Sequence, residues 1–258
     1  MKQLLVALCI LAGIPAIAQS QFDGTWRLNP QSGEFKGHDK YYLKNGMWYC
    51  DTCHPKVEVK ADGQPHSVAG SPYYDTVTVH VLNDNAVELV AEKKGELTGD
   101  TKLTASDDGK TVKAESHFIT QGGQKGDLTM VSDRVGDVPG STNKVSGVWQ
   151  TRKMENASEN VTQVTFKATD DGLSMKDGTG DSYTAKFDGK DYPYKGDPGT
   201  TSVSLNKIDA NTIEETDKRN GKVITVSRMS VQPDGKTMKI AVDDKLNNQT
   251  VNWTAEKE

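Results

Sequence analysis

Residues 50–54 read Cys50-Asp51-Thr52-Cys53-His54, the one stretch whose residue types and spacing match a known redox chemistry. Cys-x-x-Cys-His is the pattern for covalent haem attachment, in which both thiols form thioether links and the histidine, here His54, is the proximal iron ligand. The same two thiols can instead close a disulfide. A loop that short constrains the unfolded chain by only about 2 kcal/mol, so the bond would mainly stiffen a turn. A thioredoxin-like role would place the first thiol at a helix N-terminus, and no helix is predicted here. A structural zinc site wants four ligands, and neither His38 nor His66 stands at a diagnostic distance from the pair. Disulfide and haem therefore stay open at Cys50 and Cys53, and no metal site is expected.

Trp26, Trp149 and Trp253 lie on stretches that alternate apolar and polar residues, which puts their indoles on the inward face of a strand. They are candidates either for the wall of a ligand pocket or for a packed barrel floor. The chain carries no Ser-His-Asp order, no phosphate-cradling glycine loop and no acid–base pair, which points to a non-enzymatic protein. With a formal net charge of −5 and no basic patch interleaved with aromatics, nucleic acid is not an expected partner.

The elements that position these residues come from a duplication. The stretch Phe187-Asp188-Gly189-Lys190-Asp191-Tyr192-Pro193-Tyr194-Lys195-Gly196-Asp197-Pro198 has a weaker copy, Ala61 to Pro72, 126 positions earlier. At the same offset Val77 meets Val203, Asn85 meets Asn211, Gly95 meets Gly221, and Asp108-Gly109-Lys110-Thr111 meets Asp234-Gly235-Lys236-Thr237. Trp26 and Trp149 stand 123 apart, so a small insertion separates the copies near their starts. Both halves read as about eight short runs of period-two alternation divided by turn signals, with no sustained helical spacing. The fold class expected is all-β: two tandem antiparallel up-and-down barrels or strongly curled meanders. Residues 19–135 form the first unit, 136–144 a Gly/Pro-bearing linker and 145–258 the second. The residues that repeat within 187–198 are those that shape a corner into the next strand.

Residues 1–18 combine Lys2, an apolar run and Ala16-Ile17-Ala18, the signature of a signal peptide cleaved after Ala18. A secreted or periplasmic protein is expected, in a compartment that permits disulfides. The run is too short to be a membrane span, and Lys and Glu on most strands argue against a lipid-facing barrel.

Gly24-Thr25-Trp26-Arg27-Leu28-Asn29 and Phe187-Asp188-Gly189-Lys190-Asp191-Tyr192-Pro193 resemble a group of secreted bacterial lipocalin-like proteins within the calycin superfamily, here in two tandem copies. The resemblance implies barrels that bind a small, largely apolar molecule. Lipocalins usually carry a helix after the barrel, and neither copy shows one.

One difference between the copies bears on the site. Val87, Leu89 and Ala91 correspond to Ile213, Glu215 and Asp217. Facing inward, Glu215 and Asp217 would line a polar cavity and need partners, such as Arg228 or Lys239. On an open edge or rim they would simply be solvated, the plainer expectation for residue types that are seldom buried. Three functions follow. The leading one is non-enzymatic binding of a small apolar ligand, with Trp26, Trp149, Glu215 and Asp217 as candidate contacts and no cofactor. The second is a c-type haem or thiol redox protein through Cys50, Cys53 and His54. The third is an interaction module whose barrels are filled by their own side chains.

Overall fold

The computed structural model describes residues 20–258, so the expected leader lies outside the described residues. The protein is almost entirely β, 61% strand, and forms two ten-stranded antiparallel barrels, one closed and one nearly closed. Strands β1 (Gly24–Leu28) and β2 (Glu34–Lys36) come first. β3 (Asp39–Lys44), β4 (Met47–Cys50), β5 (Val57–Lys60), β6 (Pro65–Ser67) and β7 (Thr76–Asn83) follow. Next are β8 (Ala86–Lys93), β9 (Glu96–Ala105), β10 (Thr111–Ile119), β11 (Lys125–Gly136) and β12 (Gly147–Ala157). A helical turn, Glu159–Thr162, leads to β13 (Gln163–Ala168), β14 (Gly172–Asp177), β15 (Ser182–Lys186) and β16 (Tyr192–Lys195). β17 (Ser202–Lys207), β18 (Thr212–Arg219), β19 (Lys222–Val231), β20 (Thr237–Asp244) and β21 (Gln249–Lys257) complete the chain.

β3 to β12 form the first barrel. They meander in order, and β12 returns to pair with β3, leaving one gap in the ladder between β5 and β6. The second barrel runs β13 to β21 and is closed by β1, which pairs with β13 on one side and β21 on the other. β2 extends this sheet along β21. The stretches read as turning corners each contain a short strand, β6 and β16. Each barrel has ten strands where about eight runs were expected, these short strands among the additions, and β15–β16 pairing closes the second barrel.

The duplication holds in three dimensions. Val77↔Ala91, Val79↔Leu89 and Leu89↔Thr101 in the first barrel are matched 126 residues on by Val203↔Asp217, Leu205↔Glu215 and Glu215↔Ser227 in the second. Equal register keeps the same positions on the same face, because a slip of one residue would turn a whole strand inside out.

The unit boundaries read from the sequence do not follow the barrels. The Gly-x-Trp strand of each copy sits in the barrel of the other copy. Trp26 on β1 closes the second barrel, and Trp149 on β12 belongs to the first. The first barrel is thus continuous in sequence, from β3 to β12, and is inserted between β2 and β13 of the second. Residues 136–144 are correspondingly no free linker. Arg134 donates from its guanidinium to the carbonyls of Gly109, Lys144 and Ser146, Asn143 is buried with its amide on the Asn83 carbonyl, and Val145 is fully buried. The segment is the floor of the first barrel.

Both floors are built alike. The Trp26 indole N–H donates to the Phe22 carbonyl at 2.8 Å and the Trp149 indole to the Val145 carbonyl at 2.9 Å. A cation from the last strand of each unit covers each ring, Lys257 over Trp26 and Arg134 over Trp149. The opposite rims of the barrels meet. Tyr73, between β6 and β7, lies against Gly199, its own equivalent in the second copy. The β10–β11 connection reaches the β14–β15 turn through Gln124 and Gly180, and Gln249 donates to the His38 carbonyl and to Asp39. Contact between equivalent loops is the mark of an approximate two-fold relation between the barrels.

Candidate functional site

The interior of the first barrel is apolar. Trp48, Val57, Val59, Val68, Val77, Val79, Val87, Leu103, Val112 and Trp149 pack into one cluster, with Leu89 against it. The second barrel keeps the same floor, with Trp26, Leu173, Leu205, Ile213 and Met238 fully buried. Trp26 and Trp149, the candidate pocket walls, are therefore core. Each is enclosed on all sides with its one polar atom already bonded, and neither has a free face for a ligand. Two surface clefts, of about 430 and 620 Å³, lie beside Arg134 and Lys144 and beside Leu82 and Lys102, away from the barrel interiors.

Toward its rim the second interior turns polar. Glu215 and Asp217, at i and i+2 on β18, share one face of the strand. β18 is bonded on both sides, so it is no edge. Glu215 stands between Leu205 of β17 and Ser227 of β19, and Asp217 between Val203 and Thr225. The open-edge expectation fails because β18 is paired on both sides, while both residues keep partial exposure toward the rim. The partners suggested from sequence are not used. Arg228 faces outward and pairs with Glu214 at 3.1 Å, and Lys239 is exposed beside buried Met238. Instead the Tyr183 hydroxyl, from β15, donates to Glu215 Oε2. The Tyr194 ring, from β16, leans on Tyr183 with centroids 5.9 Å apart. Asp217 Oδ1 is enclosed and accepts no hydrogen bond.

The electrostatics follow from the burial. Loss of water raises the Glu215 carboxyl to about 7, opposed only by the Tyr183 hydrogen bond. Loss of water and then the charges of Glu215 and Asp197 push Asp217 to about 8. Asp181, in the turn after β14, is raised to about 6 by burial and by Asp177 and Asp197. Burial holds the Tyr183 hydroxyl well above its usual range, with Glu215 adding to it, and raises Tyr194 likewise, with Asp181 adding. Among the described residues no ion pair reaches Glu215, Asp217, Asp181, Asp177 or Asp197. The nearest basic side chains are committed elsewhere: Arg219 donates to the Gly199 carbonyl at 2.5 Å, and Lys218 pairs with Asp191. Tyr73 of the first barrel completes the rim, its hydroxyl raised by burial and then by Asp197.

The first barrel serves as an internal reference for this cluster. Tyr183, Tyr194, Glu215 and Asp217 stand where it has Val57, Val68, Leu89 and Ala91. Asp181 and Asp197 stand where it has Pro55 and Ser71. The first barrel has apolar or uncharged residues at all six positions, and its ladder stays open between β5 and β6, where the second pairs Tyr183 with Tyr194. Sequence reasoning found Glu215 and Asp217 through that comparison. It missed Tyr183, which read as an ordinary strand aromatic, and Tyr194, which lay in the stretch read as a corner, although the same offset exposes both.

Cys50 and Cys53 form a disulfide, Cα–Cα 5.4 Å, at the rim of the first barrel with Cys50 buried in the core. Their sulfurs are bonded to one another, so no free thiol stands there for thioether links, and His54 is exposed. His66 pairs with Asp62 and His117 with Asp127 on the surface. Among the described residues no group of three His, Cys, Asp or Glu is arranged to hold a metal ion, and no helix is long and apolar enough to cross a membrane. Fold and site together define a disulfide-bearing double β-barrel protein with one apolar and one partly acidic interior. Comparison with protein-family models and with curated sequences gives no match.

Proposed function

We propose that the chain is an exported, non-enzymatic binding protein in which the first barrel is a filled scaffold and the second takes a small molecule at the polar end of its interior. The observation that carries this is Asp217, partly buried near the rim, whose enclosed Oδ1 has no hydrogen-bond partner, at a position where the first barrel has alanine. An unpaired buried acceptor costs about 1–3 kcal/mol. A group that destabilises the fold, and that the sister barrel does without, is best explained by a ligand that satisfies it. The leader at residues 1–18, the disulfide and the lipocalin-like resemblance support an extracytoplasmic location, secreted or periplasmic. The packed apolar floors speak against the fully apolar ligand that the resemblance implies. They favour a compound that presents its polar end to Glu215 and Asp217.

The test is a thermal-shift screen of the mature chain, residues 19–258, against amines, fatty acids, sugars and carboxylic acids. The double variant Glu215→Leu/Asp217→Ala, which installs the first barrel's own residues, is screened in parallel. The reading expects compounds that raise Tm of the parent and leave the variant unmoved. A library that shifts both equally, or neither, would return the second barrel to the filled-module class already assigned to the first.

A further inference from the structure

The first barrel is open at one seam, and the Cys50–Cys53 disulfide stands at the head of the strand that borders it. β5 pairs with β4 on one side and is unpaired on the other. Its last rung toward the rim is Cys50↔Val57, and the chain reaches that rung through residues 51–56. The start of this connection is fixed without sulfur. The Asp51 amide donates to the Lys40 carbonyl at 2.9 Å, the Lys40 amide donates to Thr52 Oγ1 at 3.0 Å, and Lys40 Nζ pairs with the Asp51 carboxylate at 2.7 Å. Beyond Thr52, among the described residues, no turn or side-chain hydrogen bond holds Cys53 to Lys56. The disulfide is the tether of the segment that leads into β5. Buried Val57 and Val68 stand at the seam where the second barrel pairs Tyr183 with Tyr194.

The second barrel fixes the same region with hydrogen bonds alone. In its equivalent turn Asp177 Oδ1 accepts from the Thr179 amide, the Thr179 hydroxyl and the Asp181 amide, each at 2.9 Å. The adjoining seam is paired as Ser182↔Lys195 and Tyr183↔Tyr194. A reductant does not act on those bonds, whereas it acts on an S–S bond. We propose that Cys50–Cys53 is a reversible thiol–disulfide switch, opened by a dithiol at Cys53, that locks the head of β5 at the unpaired seam of the first barrel. Cys53 is the sulfur within reach, being partly exposed while Cys50 is buried in the core. One thiolate of the dithiol attacks Cys53 Sγ, the S–S bond breaks, and its electron pair leaves on Cys50 Sγ, which takes up a proton. The second thiolate attacks the dithiol's own sulfur in the mixed disulfide and releases Cys53, which is protonated in turn. The dithiol thereby loses two electrons and two protons to the protein's pair and becomes a disulfide. Reclosure is intramolecular, because Cys50 stays seated beside the anchored Asp51 and Thr52 and the two cysteines are only three positions apart.

The experiment follows the mature chain at neutral pH, with and without dithiothreitol, by pulsed alkylation and by hydrogen exchange read as mass. Both thiols should appear while circular dichroism keeps its β signal, and Cys53 should be alkylated about tenfold faster than Cys50. Amides in residues 53–60 should exchange about tenfold faster after reduction, while their equivalents 179–186 keep their rate. Oxidised glutathione should then restore both the disulfide and the slow exchange in the monomer. Cys50→Ser/Cys53→Ser should exchange at the fast rate with or without dithiothreitol. Cys50→Ser should take glutathione onto Cys53, and Cys53→Ser should leave Cys50 unmodified. A disulfide that dithiothreitol reduces only after urea has unfolded the barrel would overturn the switch. Reduction that leaves exchange in 53–60 unchanged, or that melts the whole first barrel, would do so too. Faster alkylation or glutathione capture at Cys50 would overturn Cys53 as the point of attack.

Discussion

The carboxylate pair makes the second barrel weaker as pH rises through neutrality, and this can be measured without knowing any ligand. In the unfolded chain Glu215 and Asp217 ionise near 4, whereas in the barrel burial holds them protonated to about 7 and about 8. Their folded values are raised, so their contribution is fully present below about pH 4 and is lost as pH climbs toward the folded values. Between pH 5 and pH 7 the unfolded chain has already released the two protons that the barrel largely retains. Each removes about 1.4 kcal/mol of stability per pH unit, together about 3 kcal/mol per unit. Two units could remove about 5 kcal/mol, comparable with the whole stability of a marginal domain. Carboxylates whose values are lowered, such as Asp62, Asp108, Asp188 and Asp234, titrate below this window and do not contribute a slope within it. The assay is equilibrium urea unfolding at pH 5, 6, 7 and 8, read by pulse-labelled hydrogen exchange so that residues 202–231 are resolved from their equivalents 76–105. The second barrel should unfold at progressively lower urea as pH rises, more steeply than the first, where among the groups that titrate in this window only Asp39 and His117 are raised. Glu215→Leu/Asp217→Ala should leave only the smaller slope of Asp181, which is raised to about 6, and raise the midpoint at pH 8, because well-packed apolar residues usually replace buried charges at no cost. Parallel slopes in the two barrels, or an undiminished slope in the double variant, would refute the reasoning.

Three further outcomes follow from the fold. Trp149→Ala should cost about 3–5 kcal/mol and appear as lost exchange protection within residues 39–136, whereas Trp26→Ala should expose residues 163–257; damage confined to each tryptophan's own half of the sequence would disprove the strand exchange. Cys50→Ser/Cys53→Ser should lower the first barrel's stability by no more than about 2 kcal/mol, and the intact parent should weigh two hydrogens less than its reduced form; a mass increased by haem, or a Soret band, would contradict the disulfide. Gly199→Ala places a methyl carbon 1.9 Å from the Tyr73 hydroxyl and should destabilise the contact between barrels by about 1–3 kcal/mol; Tyr73→Ala in the same chain should restore it, and a double mutant no better than Gly199→Ala would place the strain elsewhere.

The duplication was legible because its signals are local. Asp-Gly turns, paired glycines and period-two valines recur at one offset, and the ladders repeat that offset residue for residue. The floor residues were legible as types, since a tryptophan beside alternating apolar residues belongs inside, but not as roles. Whether Trp26 lines a void depends on Phe22, Lys257 and the strands that surround it, and none of these is adjacent in sequence. The Glu215 and Asp217 environment failed for a related reason. Asp and Glu are normally solvated, and only the closure of β18 between β17 and β19 enforces the exception. That closure depends on β16, whose Tyr192-Pro193-Tyr194 lies inside a stretch dominated by turn chemistry.

The exchange of β1 and β12 could not be read at all, because the two Gly-x-Trp strands carry the same message. Each offers an inward indole that bonds a carbonyl four residues back, and either barrel presents the cation that covers it. Side-chain complementarity therefore leaves the choice nearly degenerate, and chain connectivity decides it. β12 follows β11 after residues 137–146 and pairs with it as Arg134↔Trp149, whereas β1 would have to wait for most of a barrel to be made before it could take that place. Loop closure costs about 0.6 kcal/mol more with each doubling of length, so the local pairing forms first, and β1 is left for the only remaining site, between β13 and β21. Two further contacts then hold β1 there. β2 continues along β21, and Asp23 accepts from the Ala168 amide. On this argument the order of folding is fixed as well. The first barrel forms within its own sequence, and the second, which carries the acidic interior, completes only when β1 meets β13 and β21.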